Sequence, residues 1–452
     1  MHVIMHCPGM PFHGGTIGEG ESLGGAESAA YYLARELAGL GHQVTLFTSI
    51  SPELAGSWDG VRYLSAGKPM PEAPLGAAFE WYAATTPHDL TIVQRVPFAF
   101  QRPHAGKVNF WWTHDLALKR HLPALARQLW NVDRLLAVSQ FHREQIAGTY
   151  GTPDRRIAVV PNGIDPALFA GTEPGAEGDA ARAERKWQGG RMIYSSRPER
   201  GLAFLVAEDG VMERLWAADR ELTLLVAGYD NTAPHMRPLY EELWARCRGL
   251  PNVELIGPQS KKELADLMGS AFLHAYPTLF EEVSCITAME AQAAGNPIVT
   301  SRLAALPETL ADGGVAWVEP DPERLVERTC EEILRLRKDR AAWEALHGKA
   351  LRKAAAYRWR PSAEHVIALA EEVLRERCAS PRRLARHLIR NSDIVACEAL
   401  AARFAGDAKA LDSWVHGEIK DHYAFVQDGS YAEHYETIAR WQADEGIDHG
   451  LD

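Results

Sequence analysis

The segment Tyr276–Ser301, YPTLFEEVSCITAMEAQAAGNPIVTS, contains the pattern that decides the fold. Short buried-strand patterns flank it, Ala271-Phe272-Leu273 before and Ile298-Val299 near its end. Between them, Ser284 as N-cap and a run of helix formers predict a helix that Gly295-Asn296-Pro297 ends. A helix between two buried strands presents its N-terminus at the carboxyl edge of a parallel sheet, where α/β proteins bind ligands.

Two acidic residues of this segment, Glu282 and Glu290, lie eight positions apart. On a helix this spacing corresponds to about 12 Å of rise and about 80° of rotation, so both carboxylates are predicted near one side. The separation suits a ligand with hydroxyl-bearing rings at both ends and a diphosphate between them, facing the free amides of the helix start. The pattern therefore favours a nucleotide sugar over the alternative, two solvated surface glutamates.

Length and composition predict a globular protein with more than one domain. The chain has 452 residues, of which 46% are hydrophobic and 24% charged, and this predicts two domains and an appendage. The formal net charge of −12 argues against binding of nucleic acid, because phosphate backbones require a basic surface.

The six cysteines are scattered without metal-ligand spacing, and no Asp-x-Asp pair occurs, so no metal is predicted. Scattered free thiols are typical of a reducing compartment, and no apolar run reaches transmembrane length. We therefore expect a cytoplasmic protein, at most peripheral to the inner face of a membrane.

Strand and helix patterns alternate along most of the chain in two blocks. Strands are predicted in the first block at 2–8, 43–49, 90–94, 107–113, 134–140 and 157–160, and in the second at 191–196, 222–227, 253–256, 271–276, 297–301 and 314–318. These patterns predict an α/β fold with two doubly wound, Rossmann-like parallel sheets facing a cleft. From about residue 360 the pattern becomes helical, which predicts a C-terminal helical extension.

The tail from Pro381 to Asp452 has helical spacing and no strand pattern. A basic stretch occurs in it, formed by Arg382, Arg383, Arg386 and Arg390. A solvated or domain-packing face and a weak contact with anionic lipid are both compatible with this stretch.

Two arginines, Arg197 and Arg200, follow the first strand of the second block, in the loop SSRPERGL at 195–202. At the carboxyl end of a strand, their guanidinium groups are suited to neutralise a diphosphate; exposed loop arginines are the alternative. Gly24 and Gly25 open the first long predicted helix, where backbone amides can approach an anion closely. Because no G-x-G-x-x-G follows a strand, a nicotinamide oxidoreductase is the weakest alternative.

His114 lies at the end of a predicted strand, in WWTHD at 111–115. There it could hydrogen-bond a sugar hydroxyl, or it could be a structural histidine tied to Asp115. The following motif Val160-Pro161-Asn162-Gly163 predicts a tight turn that closes the first domain.

In this order, the motifs resemble those of glycosyltransferase family 4, whose members have the GT-B fold. The resemblance extends from the N-terminus to about residue 375 and rests on the segments 22–48, 111–116, 138–165, 195–202, 282–290 and 306–325. It implies a metal-independent enzyme without a cofactor, which transfers a sugar with retention from a UDP-, GDP- or ADP-sugar. The acceptor would be a glycan or a lipid-linked molecule in cell-surface polysaccharide or lipopolysaccharide synthesis.

The resemblance also implies roles for individual residues. Glu290 would bond the ribose of the nucleotide, and Glu282 the donor sugar near its anomeric carbon. Arg197 and Arg200 would clamp the diphosphate, although the family usually has lysine where Arg200 stands. Together with His114, which would contact the sugar, Glu282 and the two arginines form the expected catalytic set.

Further donor contacts are expected from the backbone of Gly24 and Gly25, whose amides would approach the phosphates and the acceptor. Val283, Ser284 and Cys285 would also line the donor, at positions where the family often has Gly-Phe-Gly. Side chains here would change which sugar fits.

Residues 171–190 are small, polar and rich in glycine, and this composition predicts a linker between two domains. With the resemblance, the chain divides into 1–170 as the acceptor domain, 171–190 as the linker, 191–355 as the donor domain, 356–377 as a helix returning to the first domain, and 378–452 as an extension of unassigned role. Two other functions stay open, a nucleotide-sugar epimerase and a non-catalytic glycan-binding or scaffold subunit. The oligomeric state is not predicted.

Overall fold

The computed structural model describes residues 1–18, 22–69, 75–97, 99–100, 104–122, 125, 131–169, 178–228 and 234–379. They form two compact units. The first contains residues 1–15, 26–161 and the described residues from 360 onward, and the second contains 16–25 and 162–359. Each unit is an α/β structure around its own sheet, as the alternating patterns predict.

The first unit contains an eight-stranded sheet. Its strands are β1 His2–His6, β2 Gln43–Thr48, β3 Gly56–Trp58, β4 Val61–Ser65, β5 His88–Gln94, β6 Gly106–Trp112, β7 Arg134–Ala137 and β8 Ile157–Val159. The strand order is β3-β4-β2-β1-β5-β6-β7-β8, and only the β3–β4 pair is antiparallel among these strands. Helices in this part of the chain are α1 Gly14–Gly18, α2 Gly25–Gly39, α3 Ala77–Thr85 and α4 Gln140–Tyr150.

The hairpin of β3 and β4 is absent from the sequence-based prediction. Its turn is Asp59-Gly60, and both residues have positive φ, 51° and 77°. An Asp-Gly pair between short strands is a strong hairpin signal, so local turn chemistry alone could have predicted it.

The second unit contains a six-stranded, parallel sheet. Its strands are β9 Arg191–Tyr194, β10 Thr223–Ala227, β11 Val253–Gly257, β12 Leu273–Tyr276, β13 Ile298–Ser301 and β14 Val315–Val318, in the order β11-β10-β9-β12-β13-β14. The order reverses between β9 and β12, which is the switch point where such sheets bind ligands. The helices are α5 Asp179–Gly189, α6 Leu202–Val206, α7 Val211–Ala218, α8 Arg237–Gly249, α9 Lys261–Ser270, α10 Ile286–Ala293, α11 Leu306–Leu310, α12 Leu325–Lys338 and α13 Arg340–Ala354.

The chain passes between the units after Pro161, and not near residue 170. The reason lies in Ile164, whose amide donates to the carbonyl of Tyr357 at 3.3 Å. In addition, a Cβ on Gly163 would lie 2.7 Å from the backbone of Arg358, so this glycine allows the close approach. Residues 162–169 are therefore part of the second unit.

The prediction of a linker at 171–190 is wrong for residues 179–189, because they form helix α5. Lys186 of this helix is buried and donates to the carbonyl of Ala294 at 2.5 Å. This hydrogen bond and the packing of Ala183 in the core fix the helix to the second unit, although the small and polar residues of the segment are typical of a domain joint. Residues 170–177 lie outside the described residues.

A last helix, α14 Trp359–Ala379, returns to the first unit. Arg134 donates to Glu372 at 3.3 Å and to Glu376 at 3.2 Å, and Ser362 donates to the carbonyl of Pro161 at 2.7 Å. The predicted extension, with its basic stretch, lies outside the described residues apart from its start. No helix in the described part of the chain combines the length and apolar character needed to cross a bilayer.

Candidate active site

Glu282 lies in the loop that follows β12, and not on the helix where the spacing placed it. Helix α10 begins at Ile286, and its N-cap is Cys285 in place of the predicted Ser284. The hydroxyl of Ser284 is occupied elsewhere, accepting from Nδ2 of Asn162 at 3.1 Å. The helical calculation of distance and rotation therefore does not apply to Glu282 and Glu290.

The carboxylate of Glu282 is buried and held by two groups. Arg200 donates from one Nη to both carboxylate oxygens, at 3.0 and 3.1 Å, and the hydroxyl of Tyr276 donates at 2.5 Å. The guanidinium also lies over the ring of Phe280, 4.5 Å from its centroid. Because β9 and β12 are neighbours at the switch point, the loops after them bring Arg200 and Glu282 together.

The two site arginines have different surroundings. The carbonyl of Arg197 accepts from the hydroxyl of Tyr194 at 2.6 Å, and its guanidinium lies 3.8 Å from the carboxylate of Glu199. Burial opposes the charge on Arg200, but Glu282, together with Tyr276 and Cys285, raises the pKa of this guanidinium above its usual value. Burial, and then Glu282, also raises the pKa of Tyr276. Of the two arginines, Arg200 has the carboxylate partner that is more fully buried.

Gly201 gives the arginine loop its shape, with φ of 135°. A Cβ at this position would lie 2.0 Å from the carbonyl oxygen of Pro277. We expect Gly201→Ala to lower the free energy of unfolding by about 2 kcal/mol or more, because strain and overlap act together. Chemical denaturation tests this. Gly269→Ala is the control, since a Cβ there meets nothing within 4 Å; equal stability of both variants would contradict the expectation.

Glu290 is on α10 as predicted, buried, and paired with a different cation. Nζ of Lys261 donates to it at 2.7 Å, and the side chains are 10% and 6% exposed. Both residues line an open pocket with Ser195, Gly228, Gln259 and Thr287. The pocket also contains Gly25 from the segment grouped with the second unit, while Gly24 is buried beside it.

The start of α10 faces the loop after β9. The hydroxyls of Ser195 and Thr287 are 2.6 Å apart. Cys285 makes no side-chain cap, and no acidic residue lies in the first turn, so the helix dipole has no anionic partner within this helix start. Val283 and Cys285 are buried, and burial raises the pKa of the Cys285 thiol, which keeps it protonated.

His114 lies in the first unit, beyond the end of β6. Its Nε2 is 2.9 Å from Nε2 of Gln94, and its ring makes an edge contact with Trp112. The carboxylate of Asp115 accepts from Arg95 at 2.9 and 3.1 Å. Burial lowers the pKa of His114 to about 3, so the imidazole is neutral at physiological pH.

The sequence analysis missed Lys261, Gln94 and the role of Tyr276 as a partner of Glu282. For Lys261 a local signal existed, because Ser260 and Glu263 form a capping box that marks a helix start after β11. For the other two, the partners are set by strand order. Among the described residues, no group of three or more His, Cys, Asp or Glu side chains could hold a metal ion.

Comparison with known families gives two matches, one on each half of the chain. The family described as Glycosyltransferase Family 4 matches residues 23–168, and the family described as Glycosyl transferases group 1 matches residues 190–336.

Several characterised proteins are similar to this chain. A subunit of the phosphatidylinositol N-acetylglucosaminyltransferase of Arabidopsis thaliana is 25% identical over 334 residues, covering 68% of this chain and 70% of that protein. D-inositol 3-phosphate glycosyltransferase of Corynebacterium kroppenstedtii is 28% identical over 272 residues, covering 56% of this chain and 57% of that protein. The crystal structure of Anabaena HepE in complex with UDP-glucose has a TM-score of 0.62 at 15% identity, covering 82% of this chain and 100% of that one.

Proposed function

The chain is a glycosyltransferase of the family 4 type with the GT-B fold, and from this premise we propose that it transfers a sugar, with retention, from a nucleotide-sugar donor to a glycan or lipid-linked acceptor. One observation carries the proposal. Two buried carboxylates, Glu282 and Glu290, are each held by a cation beside the start of one helix. Such an arrangement suits a ligand that is polar at both ends and anionic in the middle.

In this proposal the carboxylate of Glu290 accepts hydrogen bonds from the ribose hydroxyls, and Lys261 holds this carboxylate in place. The pocket that both residues line is open to solvent. The amides at the start of α10, with those of Gly24 and Gly25, face the diphosphate.

Arg197 and Arg200 stabilise the negative charge that grows on the diphosphate as the anomeric bond breaks. Both follow β9 at the switch point, and Glu282 orients Arg200 through two hydrogen bonds. A preorganised donor of this kind lowers a barrier by about 3 kcal/mol. These cations supply the charge without a metal or cofactor in the proposed reaction.

Glu282 would contact the transferred sugar near its anomeric carbon, and His114 would donate to a sugar hydroxyl. Val283 and Cys285 place buried side chains at positions where the family often has glycine, and the partly exposed Ser284 lies between them. They are therefore the proposed determinants of which sugar fits.

The names of the two curated relatives support an acceptor that carries a polyol and a phosphate. One acts on a phosphatidylinositol and the other on an inositol phosphate, by their names. We propose an acceptor of this general class, free or lipid-linked, with synthesis of a cell-surface polysaccharide or lipopolysaccharide as the setting. Cys7, Cys247, Cys285 and Cys330 are free and buried, which supports a cytoplasmic location.

The test begins with a thermal-shift panel of UDP-, GDP- and ADP-sugars, because a ligand that binds the folded state raises the melting temperature. Mass spectrometry then follows the product of the best stabiliser, with and without inositol phosphate or a lipid-linked glycan. A product that forms only with an acceptor supports the transferase. An altered sugar nucleotide without acceptor would indicate an epimerase, and no binding at millimolar concentration would contradict the proposal.

Glu290→Ala is expected to raise the KM for the donor by about tenfold to a hundredfold, since a charged hydrogen bond contributes about 1.5–3 kcal/mol. Steady-state kinetics at varied donor concentration measure this. The exposed Glu254→Ala on β11 is the matched control and should leave KM unchanged. An unchanged KM in Glu290→Ala would remove this residue from the donor site.

A further inference from the structure

Gln94 is a buried residue that faces His114 in the first unit. It is 1% exposed and is the last residue of β5. Its Nε2 lies 2.8 Å from the carbonyl oxygen of Ala26 and 2.9 Å from Nε2 of His114. Its Oε1 is buried and has no hydrogen-bond partner within the described residues.

These two contacts determine where the protons are. A backbone carbonyl can only accept, so Gln94 turns its NH₂ group, and not its oxygen, toward Ala26. The same NH₂ group faces His114 and has no lone pair to accept a proton, so Nε2 of His114 must be the acceptor. A neutral imidazole has one N–H, which is therefore at Nδ1.

We propose that Gln94 is a positioning residue that holds His114 in the Nδ1–H tautomer, so that the ring offers a donor, and not a base, to a hydroxyl oxygen of the bound sugar. The assignment of the sugar as partner rests on the proposed function, whereas the tautomer rests on the hydrogen bonds alone. Within the described residues no hydrogen bond reaches Nδ1, which leaves this N–H available to a ligand.

Burial, more than the charge of its neighbours, keeps the ring of His114 neutral. Burial is the largest cause of its low pKa of about 3. Arg95 and His142 lower the pKa further, and only Asp115 raises it. Arg95 binds the carboxylate of Asp115 and therefore compensates much of the negative charge that would otherwise favour the imidazolium form of His114.

The backbone after Gln94 is strained in a way that supports a functional position. Arg95 has φ of 63°, and the amide of Val96 donates to the carbonyl of Gln94 at 2.7 Å, a three-residue turn. A non-glycine residue in this region is strained, and such strain concentrates at functional sites. The turn directs Arg95 to Asp115 while β5 holds Gln94 against Ala26.

The test uses Gln94→Glu, which has nearly the same shape but replaces the donor with a carboxylate. This carboxylate accepts from Nε2–H of His114, so the neutral ring then has no proton at Nδ1. At low pH His114 is an imidazolium, which still has a proton at Nδ1. The introduced carboxylate stabilises this charged form and so raises the pKa of His114. We therefore expect kcat/KM of the variant to fall about tenfold as pH rises from 5.5 to 8.5, with no such decline in the wild type. If the pH profiles of kcat/KM ran parallel in the wild type and the variant, the donation from Nδ1 of His114 to the substrate would be wrong.

Nitrogen NMR of ¹⁵N-histidine protein gives a second readout that needs no substrate. His114→Asn assigns the signals, and we expect Nε2 to be unprotonated in the wild type and protonated in Gln94→Glu. The variant Gln94→Leu, similar in size, should lower activity without a new ionisation. A protonated Nε2 in the wild type would overturn the tautomer; the expected tautomers together with parallel pH profiles would overturn only the donation to substrate. If no transfer activity exists, the NMR result still decides the tautomer, so that failure belongs to the proposed function.

Discussion

Replacement of Arg200 by methionine is expected to lower kcat/KM for transfer at least a hundredfold and to lower the free energy of unfolding by about 3–5 kcal/mol. Two separate losses cause this. The leaving diphosphate loses a cation that Glu282 orients, and Glu282, which is 2% exposed, loses its counterion inside the protein. Steady-state kinetics and urea denaturation measure the two effects.

Two further variants separate these losses. Arg200→Met combined with Glu282→Gln removes both charges, so stability should recover while activity stays low. Arg200→Lys restores a positive charge but not the guanidinium contact over Phe280, and it should regain part of the activity. If Arg200→Met alone retained wild-type kcat/KM, the proposed role in diphosphate stabilisation would be wrong.

His274→Phe is expected to make the protein more resistant to acid. His274 is fully buried on β12, neither ring nitrogen has a hydrogen-bond partner within the described residues, and burial lowers its pKa to about 4 from 6.5. Between these two pH values the unfolded chain binds a proton that the folded chain does not. The free energy of unfolding therefore falls as pH decreases through this window, by up to about 3 kcal/mol.

The measurement is urea denaturation of wild type and His274→Phe at pH 5.0, 6.0 and 7.5. The variant should be about 2 kcal/mol more stable than the wild type at pH 5.0, relative to the difference between them at pH 7.5. His365→Gln is the control, because it also removes one histidine, but an exposed one on α14. Other buried histidines act in both proteins, so the comparison isolates His274. An identical pH dependence of wild type and His274→Phe would contradict the expectation.

The strands could be predicted from the sequence because buried parallel strands are short apolar runs. For example, the predicted strand at 297–301 is Ile298–Ser301 in the structure, and the predicted strand at 43–49 is Gln43–Thr48. The first residue of a helix was harder to predict from the sequence than the position of a strand. The helix after Glu282 begins at Ile286, because Ser284 bonds to Asn162, which is 122 positions away in the chain.

The site residues show the same difference between what is local in the sequence and what depends on distant contacts. Glu282, Glu290 and Arg200 could be named as candidates from the sequence, because their residue types and their places after predicted strands are local properties of the sequence. Their partners could not. Arg200 and Glu282 are 82 positions apart, and Lys261 and Glu290 are 29 apart, so no local pattern relates them.

By itself, the sequence determined that this chain is α/β in two blocks and that acidic and basic side chains follow particular strands. These features depend on side-chain periodicity and turn chemistry, which act between near neighbours along the chain. Only the tertiary structure decided that Arg200 neutralises Glu282, that Lys261 neutralises Glu290, and that Gln94 sets the proton on His114. Strand order makes the ends of distant strands adjacent, and a buried charge or tautomer depends on which groups then lie within hydrogen-bond distance.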